Sequence, residues 1–300
     1  MPAPNFLIVG APKCGTTALS EYLRGHPQVF MCQPKEPHYF ADDFPNHRCV
    51  DSWDAYLDLF SGATSEQRAI GEASVFYLYS GMAIPSVIRR IPHARLVILL
   101  RNPIDIAISM HAQCLYNMEE NIAAFEEAWR ACNSRRRGER LPNPCREPKT
   151  LLYDQLALLG QQLERVLAAV PACNVRWWFY DDLARSPRDL YAEVLDFLGL
   201  HHDGRTGFPP INERKRHRVL PLARFTETPP KPLVALALGI KRVVPLRKWG
   251  ILEALREANM QRMSKDNEVN GTLRREMRWF FDSDLRLLSG ITGRNLDHWV

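Results

Sequence analysis

Phe6-Leu-Ile-Val-Gly10-Ala-Pro-Lys13-Cys-Gly15-Thr16-Thr17 is the stretch that decides the fold. Its first four residues form a continuous apolar run, as expected for a buried parallel strand. Apolar residues then recur at helical spacing from Ala18 to Leu23, so a helix is predicted to begin near Thr16. A strand, a tight turn and a helix N-terminus together direct backbone N–H groups and the helix dipole at one point. The stretch therefore predicts an anion-binding loop, for which phosphate is the usual ligand.

The loop differs from the nucleotide-binding loop of ATPases and kinases. That loop reads G-x-x-x-x-G-K-[ST], with a lysine directly after the second glycine. Gly10 and Gly15 have the required separation, but Thr16 occupies the lysine position and Lys13 lies inside the turn. Lys13 is therefore expected beside the terminal group of a bound nucleotide. A generic strand–helix turn with a chance lysine is the alternative that the loop alone leaves open.

A second strand–helix junction, residues 94–109, carries groups that suit a phosphate. Its apolar run, 94–100, is predicted to be a central strand and ends at Arg101, where a Walker-type ATPase has a magnesium-binding aspartate. Asn102 and the proline after it are good N-cap and first helical residues. The Arg101 guanidinium and the Ser109 hydroxyl are then expected close together as phosphate donors. A purely structural arginine is the alternative.

A third candidate is the proline-rich segment 33–40, which follows a predicted strand at 29–31. Each proline steers the residue before it away from helix. Side chains alternate in an extended segment, so Glu36 and His38 are predicted to lie on one face. A carboxylate and an imidazole at the C-terminal edge of a parallel sheet are suited to acid–base chemistry. An exposed loop with solvated charges is the alternative.

Strands and helices alternate through most of the chain, which predicts an α/β fold with a mainly parallel, doubly wound central sheet flanked by helices. One long amphipathic helix is predicted over 150–170. The arginine run 135–137 is interpreted as a solvated charge cluster, with an acceptor-binding lip as the alternative. The length of 300 residues favours a single domain, 1–300.

Composition and cysteine spacing predict an ordinary globular protein without a zinc site or a transmembrane segment. Hydrophobic residues make up 46% of the chain and charged residues 24%, as in ordinary globular proteins. The net charge of +5 suits an anionic nucleotide and does not by itself indicate a nucleic-acid partner. The seven cysteines show neither a C-x-x-C pair nor zinc-ligand spacing, so we expect reduced thiols and no metal. No signal peptide and no apolar run of roughly 20 residues is seen, so we expect no transmembrane segment.

These motifs resemble the sulfotransferases that use 3′-phosphoadenosine 5′-phosphosulfate (PAPS), in particular the glycan and heparan sulfate branch. The resemblance follows the family's order over nearly the whole chain. It rests on five stretches: Pro12-Lys-Cys-Gly-Thr-Thr17, Lys35-Glu-Pro-His-Tyr-Phe40, Arg101-Asn-Pro-x-Asp-x-x-x-Ser109, Tyr180-Asp-Asp-Leu183 and Asn295-Leu-Asp-His-Trp299.

The resemblance implies a P-loop-like sulfotransferase fold and a set of donor-binding residues. The first loop would wrap the 5′-phosphosulfate, and the second junction would bind the 3′-phosphate. A tyrosine would lie near the adenine, although core packing is an alternative for it. A basic loop within 201–255 would cover the nucleotide and acceptor, although the family's Arg-Lys-Gly ending is missing there. The implied residues are Lys13, Cys14, Gly15, Thr16, Thr17, Arg101, Ser109, Tyr180, Arg214 and Lys215.

The resemblance also implies the chemistry. Glu36 matches the general base of the glycan sulfotransferases, and His38 is the alternative, because other branches use histidine. Lys13 would stabilise the charge that develops on the leaving phosphate oxygen. The expected product is adenosine 3′,5′-bisphosphate (PAP), and the acceptor is a hydroxyl or amine of a small molecule, a glycan or a lipid-linked compound.

A bacterial-type enzyme in the cytoplasm is expected, because Golgi members of the family carry an N-terminal anchor for which this sequence has no room. A basic amphipathic stretch within 233–255 is compatible with peripheral membrane contact. Two other functions stay open from the sequence. One is a P-loop kinase or NTPase, and the other is a nucleotide-binding protein of the same fold without turnover.

Overall fold

The structure is a computed structural model, which describes residues 2–211, 215–217, 260–262 and 270–299. Its strands and helices alternate along the first two thirds of the chain. In chain order they are β1 (Phe6–Gly10), α1 (Thr16–Arg24), β2 (Val29–Met31), α2 (Trp53–Asp58), β3 (Ala69–Glu72), α3 (Ala83–Arg90), β4 (Arg95–Leu100), α4 (Pro103–Tyr116), α5 (Phe125–Arg136), α6 (Tyr153–Leu156), α7 (Leu159–Ala169), β5 (Val175–Phe179), α8 (Tyr180–Arg185), α9 (Pro187–Leu198), β6 (Lys215–His217), β7 (Met260–Arg262) and α10 (Gly271–Thr292).

The main sheet has five strands in the order β2-β3-β1-β4-β5, and every neighbouring pair is parallel. The predicted α/β class and the parallel sheet flanked by helices are confirmed. β4 is an internal strand, as the sequence indicates, but β1 takes the middle position. The chain leaves β1 toward β2 on one side, whereas β4 lies on its other side. A crevice for ligands is expected where the strand order reverses in this way, at the carboxyl ends of β1 and β4.

The middle strands are apolar because both faces of the sheet are covered. All five residues of β1 are buried, and so are the last five of β4. This explains why their sequences read as continuous apolar runs instead of alternating patterns. α10 packs against α7 and α4, and so adds the end of the chain to the helical layer.

The prediction of a single helix over 150–170 is wrong. The chain forms a 3-10 turn at Pro148–Leu151, then the short α6, and α7 begins only at Leu159. The Asp284 carboxylate of α10 accepts hydrogen bonds from the backbone N–H groups of Gly160 and Gln161, both at 2.9 Å. This carboxylate therefore caps the first turn of α7. Apolar periodicity cannot reveal the break, because the cap comes from a residue 124 positions away.

In the arginine run 135–137 the sequence interpretation is wrong for Arg135, which is buried, whereas Arg136 and Arg137 are exposed, as interpreted. The side chains of Arg135 and Glu120 are fully buried, and two hydrogen bonds of 2.7 and 2.8 Å join them. The Tyr153 hydroxyl donates to the same carboxylate at 2.6 Å. Burial opposes ionisation, but these donors hold the pKa of Glu120 below its ordinary value. The pair therefore ties the segment after α4 to α5 and α6.

Replacing Glu120 by Gln should lower the free energy of unfolding by about 3 kcal/mol at neutral pH, because it leaves the Arg135 charge buried without a counter-ion. The pKa of Glu120 is lowered on folding, so the stabilisation is complete above the ordinary carboxyl pKa and is lost as the pH falls below it. The difference between wild type and Glu120→Gln should therefore shrink in acid. Urea denaturation at a series of pH values measures both effects.

Glu139→Gln is the matched control, since Glu139 pairs with Arg137 at 2.9 Å on the exposed side of the same region. It should leave the free energy of unfolding unchanged within experimental error. Equal destabilisation by the two variants would contradict the assignment of Glu120 as the buried counter-ion.

Candidate functional site

The loop after β1 has a backbone that ordinary residues rarely adopt. Gly15 (φ 86°) precedes α1, and Lys13 has a left-handed φ of 64° although it carries a side chain. A Cβ on Gly15 would lie 2.6 Å from Leu183, and one on Gly10 would lie 2.8 Å from both Leu78 and the Val75 carbonyl. Both glycines are therefore required by close packing. We call residues 10–17 the anion loop.

The end of the anion loop presents donors to a cavity. Because Gly15 caps α1, no cap side chain competes for the first-turn N–H groups, which stay directed at the loop. Four of the predicted donor-binding residues line the cavity: Lys13, Gly15, Thr16 and Thr17. Cys14 does not: its side chain is fully buried, and burial raises the pKa of its thiol to about 12. Cys14 can serve an anion only through its backbone.

Lys13 reaches across to α4. Its ammonium donates to the Gln113 side-chain oxygen at 3.0 Å, and Gln113 also lines the cavity. Sequence reasoning missed this glutamine. The available signal was its spacing, because Gln113 lies four residues after Ser109 and therefore on the same helical face.

Arg101 directly follows β4 and contacts three parts of the site. Its guanidinium donates to the Lys13 carbonyl at 2.9 Å and to the Asp105 carboxylate at 3.0 Å. It also lies over the Tyr180 ring, 4.3 Å from the centroid. Its Nε is buried and has no hydrogen-bond partner. Arg101, Ser109 and Tyr180 line the same cavity as the anion loop. Arg101 and Ser109, the two predicted phosphate donors, therefore face one cavity, and Arg101 also braces the loop.

Glu36 stands at the centre of a three-residue contact. Its Oε1 accepts from the Lys35 ammonium at 2.6 Å, and its Oε2 is 3.2 Å from His38 Nε2. Lys35 also donates to the Thr17 hydroxyl at 3.0 Å. Glu36 and His38 therefore meet, as predicted. Simple alternation is not the cause, because His38 has a left-handed φ of 50°.

Electrostatics fix the charge of this group at neutral pH. Burial opposes ionisation, but the hydrogen bond from His38 and the charge of Lys35 lower the pKa of Glu36 to about 2. Burial and the Arg146 charge lower the pKa of His47, which lines the same cavity, to about 4. Glu36 is thus an ionised carboxylate and His47 a neutral imidazole.

A buried network behind His38 holds its segment in place. The fully buried Glu72 accepts from the hydroxyls of Tyr56 and Tyr77, both at 2.8 Å, and from the Ser74 hydroxyl. Ser74 in turn accepts from the His38 backbone N–H at 2.9 Å. Glu72 does not line the cavity, so its observed role is structural.

Most of these groups line one cavity of about 800 Å³, within the usual range for ligand sites, whereas Cys14, Lys35 and Glu72 do not line it. The segments that follow all five parallel strands supply its walls: the anion loop, the Glu36 segment, Val75 and Phe76, Arg101, and Tyr180. Sequence reasoning missed further lining residues. The apolar and aromatic ones are Tyr22, Leu183, Phe208 and Ile211. The polar and charged ones are His47, Asn117, Glu119 and Arg146.

Besides Cys14, two predicted donor-binding residues are without a described side chain. Arg214 lies outside the described residues. Lys215 lies in β6, which pairs antiparallel with β7, and its side chain is not described. The C-terminal motif is placed, since the Trp299 indole donates to Asp181 at 2.8 Å, directly after the Tyr180 position.

No cluster of three or more His, Cys, Asp and Glu residues in the described ranges is arranged to hold a metal ion. Among the helices of the described part, none is long and apolar enough to cross a bilayer.

Comparison with known proteins identifies the family. Residues 3–228 match the model of the sulfotransferase domain. The chain is 34% identical over 108 residues to the membrane-associated sulfotransferase kil1 of Dictyostelium discoideum, covering 36% of this chain and 22% of that protein. It is 26% identical over 208 residues to heparan sulfate glucosamine 3-O-sulfotransferase 6 of Mus musculus, covering 66% of this chain and 52% of the mouse protein. The chain thus spans about half, or less, of these curated relatives.

A solved structure extends the comparison to the whole chain. The crystal structure of a sulfotransferase from Alicyclobacillus acidocaldarius superposes with a TM-score of 0.72 and 25% identity, and covers 100% of this chain and 99% of that one. The family match spans most of the chain, and the structural match includes the sheet and the cavity walls. The chain therefore belongs to the sulfotransferase family and has its P-loop-like fold.

Proposed function

We propose that the protein transfers a sulfuryl group from PAPS to a hydroxyl or amine of an acceptor and releases PAP. The observation that carries this proposal is the contact of Lys35 with both Thr17 and Glu36. The Lys35 side chain thus links an ionised carboxylate to the anion loop. A nucleotide-binding protein without turnover has no need of this arrangement.

The donor would occupy the wall formed by the anion loop, β4 and β5. Lys13 and the first turn of α1, with Gly15, Thr16 and Thr17, would hold the 5′-phosphosulfate. Arg101 and Ser109 would hold the 3′-phosphate, and Tyr180 would contact the adenine. Arg214 and Lys215 remain predictions from the sequence for the loop that covers the donor.

The acceptor oxygen would attack sulfur in line as its proton passes to Glu36. One S–O bond forms to the acceptor, and the S–O bond to the 5′-phosphate breaks. The leaving phosphate oxygen takes the electron pair, and Lys13 stabilises its charge. Glu36 is favoured over His38 as the base on two grounds. The Glu36 side chain is 34% exposed and that of His38 only 4%. With Glu36 ionised, His38 Nε2 must carry a proton to form their hydrogen bond.

A P-loop kinase or NTPase is the alternative enzyme. It is not favoured, because the lysine after the second glycine is missing and Arg101 stands where a magnesium-binding aspartate is expected. A bacterial-type protein in the cytoplasm, without a nucleic-acid partner and with peripheral membrane contact at most, remains a prediction from the sequence.

The proposed function makes a first prediction about nucleotide binding. PAP at a hundred times its dissociation constant should stabilise the protein by about 2.7 kcal/mol in thermal unfolding, and 5′-AMP should bind more weakly. Arg101→Met should reduce PAP affinity about 10- to 100-fold, because it removes a charge-assisted contact, and should reduce 5′-AMP affinity less, because only the brace on the anion loop is lost for that ligand. Ser109→Ala should likewise lower the affinity for PAP relative to the affinity for 5′-AMP. Calorimetric titration measures both ligands.

Arg89→Met is the control, since Arg89 is an exposed residue of α3 that does not line the cavity. It should leave both affinities unchanged. Stabilisation by ATP with Mg²⁺ but not by PAP would overturn the proposed function and favour the kinase.

The second prediction concerns the base. Glu36→Gln should lower kcat at least about 100-fold, because the amide cannot accept the acceptor's proton, while PAP affinity stays within a few-fold of wild type. His38→Asn should lower kcat less. Asparagine is chosen because it tolerates the left-handed backbone at this position. Release of PAP from PAPS in the presence of an active acceptor measures turnover. If Glu36→Gln keeps most of its turnover while His38→Asn loses it, the base is His38.

The third prediction concerns the acceptor. The mouse relative is named for glucosamine in heparan sulfate, and the cavity wall near Glu36 combines the Phe76 ring with the neutral His47. The Phe76 ring stacks between His38 and Phe44, and the polar groups beside it, the neutral His47 imidazole and the Arg146 guanidinium, suit the hydroxyls and carboxylates of an acidic glycan. Chemically desulfated heparan sulfate should therefore stimulate PAP release more than p-nitrophenol or a long-chain alcohol. A preference for the phenol or the alcohol would contradict a glycan acceptor.

A further inference from the structure

Lys35 occupies a position that the donor-binding residues and the base share. Its ammonium is 3.0 Å from the Thr17 hydroxyl, in the first turn of α1, and 2.6 Å from Glu36 Oε1. Only 16% of its side chain is exposed. Its backbone is also fixed, because the Lys35 carbonyl accepts from the Ala73 N–H at 2.9 Å, directly after β3. The ammonium can therefore exchange partners while the stem of the side chain stays in place.

This arrangement blocks the proposed base. Oε1 of Glu36 is paired with Lys35, and Oε2 with His38. The surrounding groups do not compete for it: His47 is held neutral, and the Cys49 thiol donates to the Glu36 carbonyl oxygen at 3.5 Å. Behind His38, Glu72 is enclosed by its own hydroxyl donors. A carboxylate with both oxygens paired and a pKa of about 2 is a poor proton acceptor.

We propose that Lys35 is a movable cation that neutralises Glu36 in the empty protein and turns to the sulfonate oxygens when the donor binds. The inference rests on the proposed function. The Thr17 hydroxyl marks the path, since it belongs to the helix end that attracts the anion and already contacts Lys35. A sulfonate at that helix end offers the ammonium a second negative partner, so the attraction to Glu36 weakens. Glu36 then becomes available to the acceptor only when there is a sulfuryl group to transfer.

Lys35 and Lys13 therefore have different roles. The Lys13 side chain lies on the α4 side of the anion loop, where it contacts Gln113, and its proposed partner is the leaving phosphate oxygen. Lys35 approaches from the segment after β2, and its proposed partner is the sulfonate. PAP retains the phosphates but has no sulfonate, so a comparison of PAPS with PAP separates the two lysines.

The test is the ratio of PAPS to PAP affinity in Lys35→Met, measured by calorimetric titration. PAPS should bind about tenfold more weakly than to wild type, because an ammonium contact to the sulfonate is lost, and PAP affinity should change less than about threefold. Lys35→Arg should restore the ratio in part, since it keeps the charge. Lys149→Met is the matched control, because Lys149 is also paired with a carboxylate, that of Asp43 at 2.8 Å, and lies over the Phe44 ring and not beside Glu36 and Thr17.

A second readout follows the base directly. The Glu36 carboxyl is titrated by ¹³C NMR with labelled glutamate, and its resonance is assigned by its loss in Glu36→Gln. PAPS should raise the pKa of Glu36 in the wild type, whereas PAP should not. In Lys35→Met the pKa should already be raised without ligand, because the neighbouring positive charge is gone.

The outcomes separate the two proposals. If neither PAP nor PAPS binds the wild type, the proposed function fails. If both bind but Lys35→Met leaves their ratio and the Glu36 titration unchanged, the Lys35 proposal is overturned and the proposed function stands.

Discussion

The parallel alignment of five strands, with the anion loop at the end of the middle one, is the constraint on which the rest of the structure depends. Parallel strands bring all their carboxyl ends to one edge, so every segment that follows a strand can contribute a side chain to the same cavity. The middle position of β1 puts the start of α1, which has no side-chain cap, at the centre of that edge. Groups from β2 and β3 approach on one side, and groups from β4 and β5 on the other.

The cations at this edge have hydrogen-bond partners that an anionic ligand can replace. Lys13 donates to an amide oxygen, Arg101 to a backbone carbonyl and to the Asp105 carboxylate, and Lys35 to a hydroxyl and to Glu36. Each of these cations thus has at least one neutral oxygen as a partner, which an incoming anion can replace at small cost. The Arg135–Glu120 pair differs, because both side chains are fully buried and paired through two hydrogen bonds. Such a pair is costly to break and serves the fold.

Second-layer contacts hold the site rigid. The Glu72 network fixes the backbone at His38 through Ser74, and close packing against Leu183 and Leu78 fixes both ends of the anion loop. At the far side, the Trp299 indole binds Asp181 and so anchors the chain end beside the Tyr180 segment. Catalytic groups need positions precise to a fraction of an ångström, and supporting contacts of this kind supply that precision.

The sequence by itself determined the fold class and most of the candidate site. The apolar runs of β1 and β4, the glycines of the anion loop and the Asn102–Pro103 helix start are local signals, and local physics is enough to interpret them. The sequence could not give the broken helix before α7, the burial of Arg135 or the contact between Lys35 and Thr17. Each of these depends on residues that are distant in the chain or on neighbouring segments whose path is set by the sheet. Only tertiary structure decides which charge is buried, which is paired and which faces a cavity, because those outcomes depend on what packs on the other side.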